Sequence, residues 1–323
     1  MTKFSILATG TIAHKMAKTI REMPQVQLYA VGSRSQEKAD EFKDEYNFQV
    51  AYGSYEELAK DSQSDIIYVA TPHSHHYENV KMLLLNDHHV LCEKPITVNQ
   101  KQAIELYSLA KERNLLLADA TWSRYMPFSH IVKEAAKNYE LGKLKMIHSN
   151  FGIQKLHAKR MVDPNLAGGA LLDLGIYPLN NALMFADSKV VDIETSMVKH
   201  TTGVDESNII VLTFENGVKA LLSSSMNGIM DTRIHLSYEN GRIELDALPN
   251  PTKYSIYDEE QELLFEEDLP PQISGYEYQV EEMIQVLQQN KTEMISFTID
   301  ESLEVMKLLD TIRSKWNLVY PFE

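Results

Sequence analysis

The sequence predicts an α/β protein with an N-terminal doubly wound parallel sheet, followed by an α+β domain built on an open, mainly antiparallel sheet. Up to about residue 120, apolar strand segments alternate with helical segments, and the strands are continuously apolar, as in a parallel sheet covered on both faces. Further along, strand segments follow one another with turn signals between them. We therefore predict two domains, residues 1–120 and residues 121–323, with the last helix packing back on the first domain.

The spacing of apolar residues places each element of the first domain. Short β-branched and apolar runs predict strands at 4–8, 26–31, 65–70, 89–92 and 115–118. Apolar residues at helical spacing predict helices at 11–23, 36–46, 75–86 and 100–114. Ser54 and Glu57 have the spacing of a capping box and open a further short helix.

The second domain is predicted to contain one helix at 169–185 and then a run of strands. Asn216-Gly217 and Asn240-Gly241 predict hairpin turns, because Asn-Gly readily takes positive φ at both central positions. Residues 258–268 are acidic and predict a solvated strand edge or loop. Two helices at 276–289 and 299–316 complete the chain.

Composition and charge exclude several classes of protein. The 323 residues carry 31 Lys and Arg against 46 Asp and Glu, a net charge of −15, which disfavours nucleic acid as a partner. Residues 251–300 hold 2 basic and 12 acidic side chains, whereas residues 1–119 hold 13 and 16, so the first domain is the less hostile to an anionic ligand. No apolar run approaches the roughly 20 residues that span a bilayer. With Cys92 as the one cysteine and no secretory leader, we expect a cytoplasmic protein without disulfides.

The turn between the first strand and the first helix resembles a dinucleotide-binding turn. Residues 8–13, Ala-Thr-Gly-Thr-Ile-Ala, match G-x-G-x-x-A with Ala8 in place of the first glycine. Gly10 allows a pyrophosphate to approach the backbone, and Thr11 and Ile12 open the helix whose N–H groups would bind it. Ala8 is tolerated if its φ is negative. The alternative is an ordinary βα turn.

The end of the second strand favours NADP over NAD as the cofactor. A protein that prefers NAD places an acidic residue there, but this chain has Ser33 and Arg34, which suit a 2′-phosphate, and Lys38 adds a positive charge. The alternative is a helix N-cap beside a surface arginine, and NAD stays possible.

The loop after the strand predicted at 65–70 lies at the edge of the sheet where ligands bind. It contains Thr71, Pro72 and three histidines within residues 73–76. The histidines invite a metal interpretation, but no carboxylate or thiolate completes a ligand set. We therefore predict a cofactor-lining loop that includes His76, and no metal.

Glu93-Lys94-Pro95 directly follows the strand predicted at 89–92. A lysine in a crevice can hold a substrate hydroxyl and lower the pKa of a neighbouring phenol. Pro95 fixes the backbone beyond it and is a candidate for a cis bond. The alternative for Lys94 is a surface lysine at the end of a strand.

Asp173 and Tyr177 lie four residues apart in the predicted helix and therefore share a face. Gly175 between them predicts a close approach by another segment, because glycine in a helix costs up to about 1 kcal/mol relative to alanine. The alternative is a buried tyrosine whose hydroxyl is satisfied by Asp173.

The ordered set of motifs at 8–13, 71–72, 93–95 and 169–177 resembles the glucose–fructose oxidoreductase / inositol dehydrogenase (Gfo/Idh/MocA) family over essentially the whole chain. The resemblance implies a Rossmann domain that binds a nicotinamide dinucleotide and an open sheet used in oligomerisation. It implies Lys94, Tyr177 and Asp173 as catalytic residues. It also assigns Glu93, Lys94, Trp122 and Arg124 to the cofactor site, the last two in a segment that includes Pro127. Tyr177, where many members have histidine, is similar to the dihydrodiol dehydrogenase / NADP-dependent xylose dehydrogenase branch.

The predicted function is an NAD(P)-dependent oxidoreductase that acts on a carbinol of a sugar, polyol or cyclic diol. Tyr177 would be the general base, Lys94 would make its phenol more acidic, and Asp173 would orient the substrate hydroxyl or hold Lys94. We expect a homo-oligomer, a dimer or a tetramer, formed through the C-terminal sheet. Open alternatives are a non-catalytic regulator or sensor that binds a dinucleotide, and a scaffold that binds none. Further pocket candidates are Phe151, His157, Arg160 and Asp163.

Overall fold

The computed structural model describes all 323 residues, which form two compact units. The first unit contains Met1–Tyr125 and Gln272–Lys307, and the second contains Met126–Pro271 and Leu308–Glu323. The units are not contiguous in sequence, unlike the predicted division at residue 120. Residues 272–307 join the first unit through buried contacts such as Ser302 Oγ to Asp119 Oδ2 at 3.0 Å.

The first unit is built on six parallel strands in the order β3-β2-β1-β4-β5-β6, which confirms the predicted doubly wound sheet. The strands are β1 Thr2–Leu7, β2 Val26–Gly32, β3 Val50–Tyr52, β4 Ile66–Val69, β5 His89–Glu93 and β6 Leu117–Ala120. The helices between them are α1 Thr11–Arg21, α2 Gln36–Tyr46, α3 Tyr55–Ala59, α4 His76–Leu85 and α5 Gln100–Glu112.

Local side-chain caps explain where several of these helices begin. The Oγ of Ser54 accepts a hydrogen bond from the Glu57 N–H at 3.2 Å, as the capping-box spacing predicts. Asn99 caps α5 in the same way, through the Gln102 N–H at 3.0 Å. All four residues of β4 are buried, as expected for a strand covered on both faces.

The second unit contains an eight-stranded sheet in the order β14-β13-β12-β11-β7-β10-β9-β8, in which only β7 and β10 pair in parallel. This confirms the predicted, mainly antiparallel sheet. Its strands are β7 Leu144–Gly152, β8 Val190–Lys199, β9 Asp205–Phe214, β10 Lys219–Ser225, β11 Ile234–Tyr238, β12 Gly241–Leu245, β13 Lys253–Tyr257 and β14 Leu263–Asp268. The remaining helices of the chain are α6 Phe128–Asn138, α7 Lys159–Val162, α8 Ile176–Ala186, α9 Glu277–Gln288 and α10 Ile299–Lys315.

One face of this sheet is covered and the other is open. On β10, Ala220 and Leu222 are buried, whereas Lys219 and Leu221 are exposed. The buried side packs against α8, which contacts β7 and β10. The acidic strand β14 forms one edge and is largely exposed, which agrees with the predicted solvated strand edge.

Both Asn-Gly hairpins form, but the expectation of positive φ at both central positions is wrong. Positive φ occurs at Gly217 and Gly241, with values of 86° and 150°, and not at the preceding asparagines. Each asparagine instead uses its side chain. Asn216 Oδ1 accepts from the Val218 N–H, and Asn240 Nδ2 donates to the Glu140 carbonyl oxygen.

The predicted helix at 169–185 begins as a π-helical turn, Leu171–Gly175, and continues as α8. At Gly175 a Cβ atom would lie 2.9 Å from Ser224 Oγ, which confirms the close approach that the glycine predicts. None of the helices is both long enough and apolar enough to cross a bilayer.

Candidate active site

The turn after β1 presents open backbone at the carboxyl edge of the first sheet. A Cβ atom at Gly10 would meet nothing within 4 Å, so a ligand can approach the main chain there. Helix α1 starts at this glycine with no side-chain cap and no acidic residue in its first turn, which leaves the N–H groups of Thr11 and Ile12 for an anion. Ala8 has φ +94°, so the condition under which a methyl group would be tolerated there is not met, and Ala8 occupies a conformation that favours glycine.

The end of β2 carries a positive charge. Ser33 is buried, and Arg34 is exposed. Burial raises the pKa of the Tyr55 phenol, and Arg34 is close enough for its charge to lower that pKa. Burial lowers the pKa of His75, and the charge of Arg34 lowers it further, so the histidine lies within electrostatic range of the guanidinium. Ser35 caps α2, and Lys38 is exposed in its first turn. Ser35 thus forms the helix cap that the alternative interpretation expects, and Arg34 next to it lies near Tyr55.

His76 joins the loops that follow β4 and β5. It is fully buried, and its Nδ1 and Nε2 lie 2.8 Å from the carbonyl oxygens of Pro95 and Thr71. Burial lowers its pKa to about 4, so the ring is neutral and donates to one of the two oxygens. Both ring nitrogens face backbone carbonyls, which leaves no imidazole nitrogen for a metal or a cofactor. Pro72 caps the 3₁₀ turn His73–His75 that precedes the histidine.

Glu93 anchors the backbone of Lys94. Its carboxylate is buried and accepts hydrogen bonds from the Tyr68 hydroxyl and from the Lys94 N–H, the second at 3.2 Å. Burial raises the pKa of Glu93 to about 7, although the charge of Lys94 and both hydrogen bonds act in the opposite direction. Lys94 itself is 8% exposed, and the Lys94–Pro95 bond is cis. Lys94 is therefore a buried lysine, and not the surface lysine of the alternative interpretation.

Trp122 and Arg124 lie in a 3₁₀ turn after β6, each with a partner that the sequence did not predict. Trp122 stacks on Tyr276 with ring centroids 4.5 Å apart, and the Lys15 ammonium lies 5.1 Å from the tryptophan ring. Arg124 is ion-paired with Glu301 and lies over the Phe297 ring. Its charge is already neutralised within the protein, which weakens its assignment to the cofactor. All four partners are far away in sequence, so no local pattern could have identified them.

In the second unit, Asp173 and Tyr177 are both largely buried, at 8% and 5% exposure. Arg160 forms a bidentate ion pair with Asp173, at 2.7 and 3.2 Å. The Tyr177 ring meets the edge of Phe151 at a centroid distance of 5.8 Å. Two of the pocket candidates, Arg160 and Phe151, thus contact the predicted catalytic residues.

The other two pocket candidates lie elsewhere on the same segment. His157 is exposed, and Asp163 caps the 3₁₀ turn Pro164–Leu166 by accepting from the Asn165 N–H at 2.9 Å. The structure therefore gives Asp163 a local structural role.

A parallel sheet in the order 3-2-1-4-5-6, with an open glycine turn and an uncapped helix N-terminus at its carboxyl edge, defines a dinucleotide-binding domain of the Rossmann class. The chain belongs to the Gfo/Idh/MocA oxidoreductases. Residues 2–120 match the oxidoreductase family with an NAD-binding Rossmann fold, and residues 130–244 match the GFO/IDH/MocA C-terminal domain. This confirms the resemblance that the motifs indicate.

Curated relatives and solved structures agree with this assignment. The trans-1,2-dihydrobenzene-1,2-diol dehydrogenase of Xenopus laevis is 31% identical over 99% of both chains, and that of Homo sapiens is 29% identical over 99% of this chain and 98% of its own. A 3-ketoreductase from Actinomadura kijaniata, crystallised with NADP and TDP-benzene, has a TM-score of 0.87 at 23% identity over 97% of both chains. Aldose-aldose oxidoreductase from Caulobacter crescentus has a TM-score of 0.86 at 19% identity over 97% of this chain and 96% of its own. The two structures share the fold.

Proposed function

We propose that this protein is an NADP-preferring dehydrogenase or reductase that interconverts a carbinol and a carbonyl on a sugar, polyol or cyclic diol. The observation that carries the proposal is Lys94, buried at the carboxyl edge of the NAD-binding sheet with its backbone anchored by Glu93. A ligand-edge lysine with an anchored backbone suits the positioning of a reacting hydroxyl. Curated relatives named for a dihydrodiol and a structural neighbour crystallised with NADP support the same class of substrate and cofactor.

The residues of the first unit fit a nicotinamide dinucleotide. The open backbone at Gly10 and the N-terminus of α1 would hold the pyrophosphate, and Ser33 with Arg34 would hold the 2′-phosphate of NADP. Thr71 and Pro72 line the same sheet edge one strand further along. When bound, the nicotinamide ring accepts or supplies the hydride of the reaction.

The protein's own residues would handle the proton of the substrate hydroxyl. Tyr177 takes that proton in the oxidative direction, but a phenol with a pKa near 10 is a weak base at neutral pH. Lys94 would hold the substrate oxygen, and its positive charge would make the hydroxyl proton easier to remove. Asp173, which forms an ion pair with Arg160, would orient the substrate hydroxyl.

Removing either proton-transfer group should abolish most of the activity. We expect Tyr177→Phe and Lys94→Met each to lower kcat by about 10²- to 10⁴-fold, the range for general acid–base catalysis. The measurement is NADP reduction with a panel of sugars, polyols and cyclic diols. The matched controls, Tyr139→Phe and Lys111→Met, change exposed residues of the same types and should retain full activity.

Two results would contradict this assignment. If either variant retains the wild-type kcat on the substrate found by the panel, the role given to that residue is wrong. If the wild type binds NADP but oxidises nothing on the panel, the protein is better described as a dinucleotide-binding regulator.

The cofactor preference rests on Arg34. Replacing it with alanine removes a charge-assisted contact to the 2′-phosphate, so Arg34→Ala should raise the KM for NADP by about tenfold or more and leave the KM for NAD nearly unchanged. Steady-state kinetics with both cofactors measures the ratio, and Arg21→Ala on the exposed end of α1 is the control. Equal increases in the KM for NADP and for NAD would show that Arg34 does not bind the 2′-phosphate.

We also propose that the chain forms a homo-oligomer through the open face of the second sheet. Ile209, Leu221 and Met146 on this face are 53%, 43% and 40% exposed, and apolar groups clustered on one face favour association. Leu221→Glu should reduce the mass of the particle measured by analytical ultracentrifugation. An unchanged mass would place the interface elsewhere.

A further inference from the structure

The turn that carries Asp173 is held by a strand far away in sequence. Asp205, the first residue of β9, is fully buried, and its Oδ2 accepts a hydrogen bond from the Leu171 N–H at 2.7 Å. Leu171 opens the π-turn that contains Asp173 and leads to Tyr177. The first N–H groups of a helix have no partner within it, and a negative charge beside them is favourable. Asp205 therefore caps the segment that carries both candidate catalytic residues.

The packing around this cap is tight. Gly169 has φ +122°, and a Cβ atom there would collide with Asp205 Oδ1. Asp205 Oδ1 has no hydrogen-bond partner, so this oxygen is packed against the glycine. Asn208 Nδ2 donates to Asp205 Oδ2 at 2.8 Å and fixes the rotation of the carboxylate. The start of the π-turn is thus located by a carboxylate that has little freedom to move.

The end of the π-turn is located in a similar way. Gly175 lies against Ser224 of β10, whose buried Oγ also has no partner. Ser224 and Asn208 are directly opposite each other in the β9–β10 pair. The turn therefore rests on two paired strands, on β9 at its start and on β10 at its end, so a change at Asp205 acts on Asp173 and Tyr177 through this support.

We propose that Asp205 is a positioning residue, whose carboxylate sets the start of the π-turn and thereby the placement of Asp173 and Tyr177 during turnover. Its effect on kinetics depends on the proposed function, whereas its effect on the order of the turn does not.

The charge state of Asp205 predicts a pH dependence of turnover that a purely structural residue would not cause. Burial raises the pKa of Asp205 to about 7, although the hydrogen bonds from Asn208 and Leu171 and the charge of Arg313 lower it. The other ionisable groups around it are Tyr320, Glu323 in its ion pair with Arg313, and, on the π-turn, Asp173 in its ion pair with Arg160. Protonation replaces a charge-assisted hydrogen bond to Leu171 with a neutral one about half as strong. Turnover should therefore decline as the pH falls through this range.

The kinetic test compares pH profiles of kcat for the wild type, Asp205→Asn and Asn208→Ala. Asp205→Asn should lower kcat by about 10- to 100-fold, since small misplacements of reacting groups have effects of that size, and should leave the KM for NADP unchanged. It should also reduce the inflection near pH 7 by the part that Asp205 contributes, with Glu93 beside Lys94 contributing the rest. Asn208→Ala keeps the carboxylate but removes a hydrogen bond that favours its charged form, so the inflection should move to higher pH. The control is Asp192→Asn, an exposed carboxylate on the adjacent strand β8, which should behave as wild type.

Hydrogen exchange tests the same proposal without turnover. Amides of residues 169–177 should exchange faster in Asp205→Asn than in the wild type above about pH 7, where Asp205 is charged, and the difference should shrink at lower pH. A wild-type pH profile in Asp205→Asn, or unchanged exchange of this segment, would overturn the proposal. If Asp205→Asn does not fold, Asn208→Ala decides it by the direction of the shift. Altered exchange in a protein that oxidises no substrate would refute the proposed function and leave the positioning role intact.

Discussion

The two units of the protein each bury one carboxylate against the segment that carries candidate catalytic residues, but they satisfy it differently. In the first unit, Glu93 accepts one hydrogen bond on each oxygen, from the Tyr68 hydroxyl and from the Lys94 N–H. In the second unit, Asp205 accepts two hydrogen bonds on Oδ2 and none on Oδ1. Burial raises the pKa of both carboxyls to about 7.

The two carboxylates differ in their separation along the sequence from the residues that they hold in place. Glu93 binds the backbone of Lys94 itself, so local sequence already places the two together. Asp205 reaches Asp173 and Tyr177 only through the start of a π-turn, from a strand more than 30 residues away, as the Leu171–Asp205 separation of 34 shows. One site is therefore built by a local motif, and the other depends on tertiary packing.

The largest change in stability is expected at the tight contact between Gly169 and Asp205 in the second unit. Gly169→Ala would force a methyl group against Asp205 Oδ1 and an alanine into φ +122°, so we expect a loss of about 3 kcal/mol in the free energy of unfolding. Gly217→Ala is the control, because Gly217 also has positive φ but a Cβ there meets nothing within 4 Å. It should lose only about 1 kcal/mol from backbone strain. Equal losses in urea denaturation would show that the collision at Asp205 does not matter.

The next effect tests whether both carboxylates titrate as the pKa values indicate. Between about pH 4.5 and 7 the folded protein binds more protons at Glu93 than the unfolded chain does, so stability falls as the pH rises through this window. Between pH 5 and pH 8, Glu93 should lower the free energy of unfolding by about 2–3 kcal/mol, and Glu93→Gln should remove this decrease. Asp205 contributes in the same direction, so the free energy of unfolding of the variant should still depend on pH, but less steeply than that of the wild type. A pH dependence identical to that of the wild type would mean that Glu93 stays charged when the protein folds.

The smallest effect is expected at Ala8, in the turn after β1 of the first unit. Ala8 holds φ +94°, and glycine adopts that conformation without strain, so Ala8→Gly should raise the free energy of unfolding by about 1 kcal/mol. Ala13→Gly, inside α1, is the opposite control and should lower stability by about 1 kcal/mol. Destabilisation by Ala8→Gly would mean that the lost methyl contacts outweigh the relief of strain.

Patterns along the chain were enough to predict most of the fold. The α2 helix begins and ends where its apolar spacing predicts, and five of the six strands of the first sheet were predicted, in the observed order along the chain. Strand β3, helix α6 and strand β7 were not predicted, and further errors occur at single residues in turns. Ala8 and the two hairpin asparagines have backbone conformations that depend on neighbouring segments, and short-range preferences do not include those neighbours.

The partners of the site residues could not be predicted in the same way. Arg160 next to Asp173, Tyr276 stacked on Trp122, and Glu301 on Arg124 are all contacts between distant parts of the chain. Residue type and spacing identify a charge or an aromatic ring, but they do not show what neutralises the charge or covers the ring.

The two architectures, the open glycine turn and the family could be predicted from the sequence, because hydrophobic periodicity and short motifs express local geometry that neighbouring residues enforce on one another. Which carboxylates are buried, and which backbone groups they hold, became visible only in the folded protein. Burial depends on segments that meet after folding, and the same burial shifts the pKa of Glu93 and Asp205 into the neutral range.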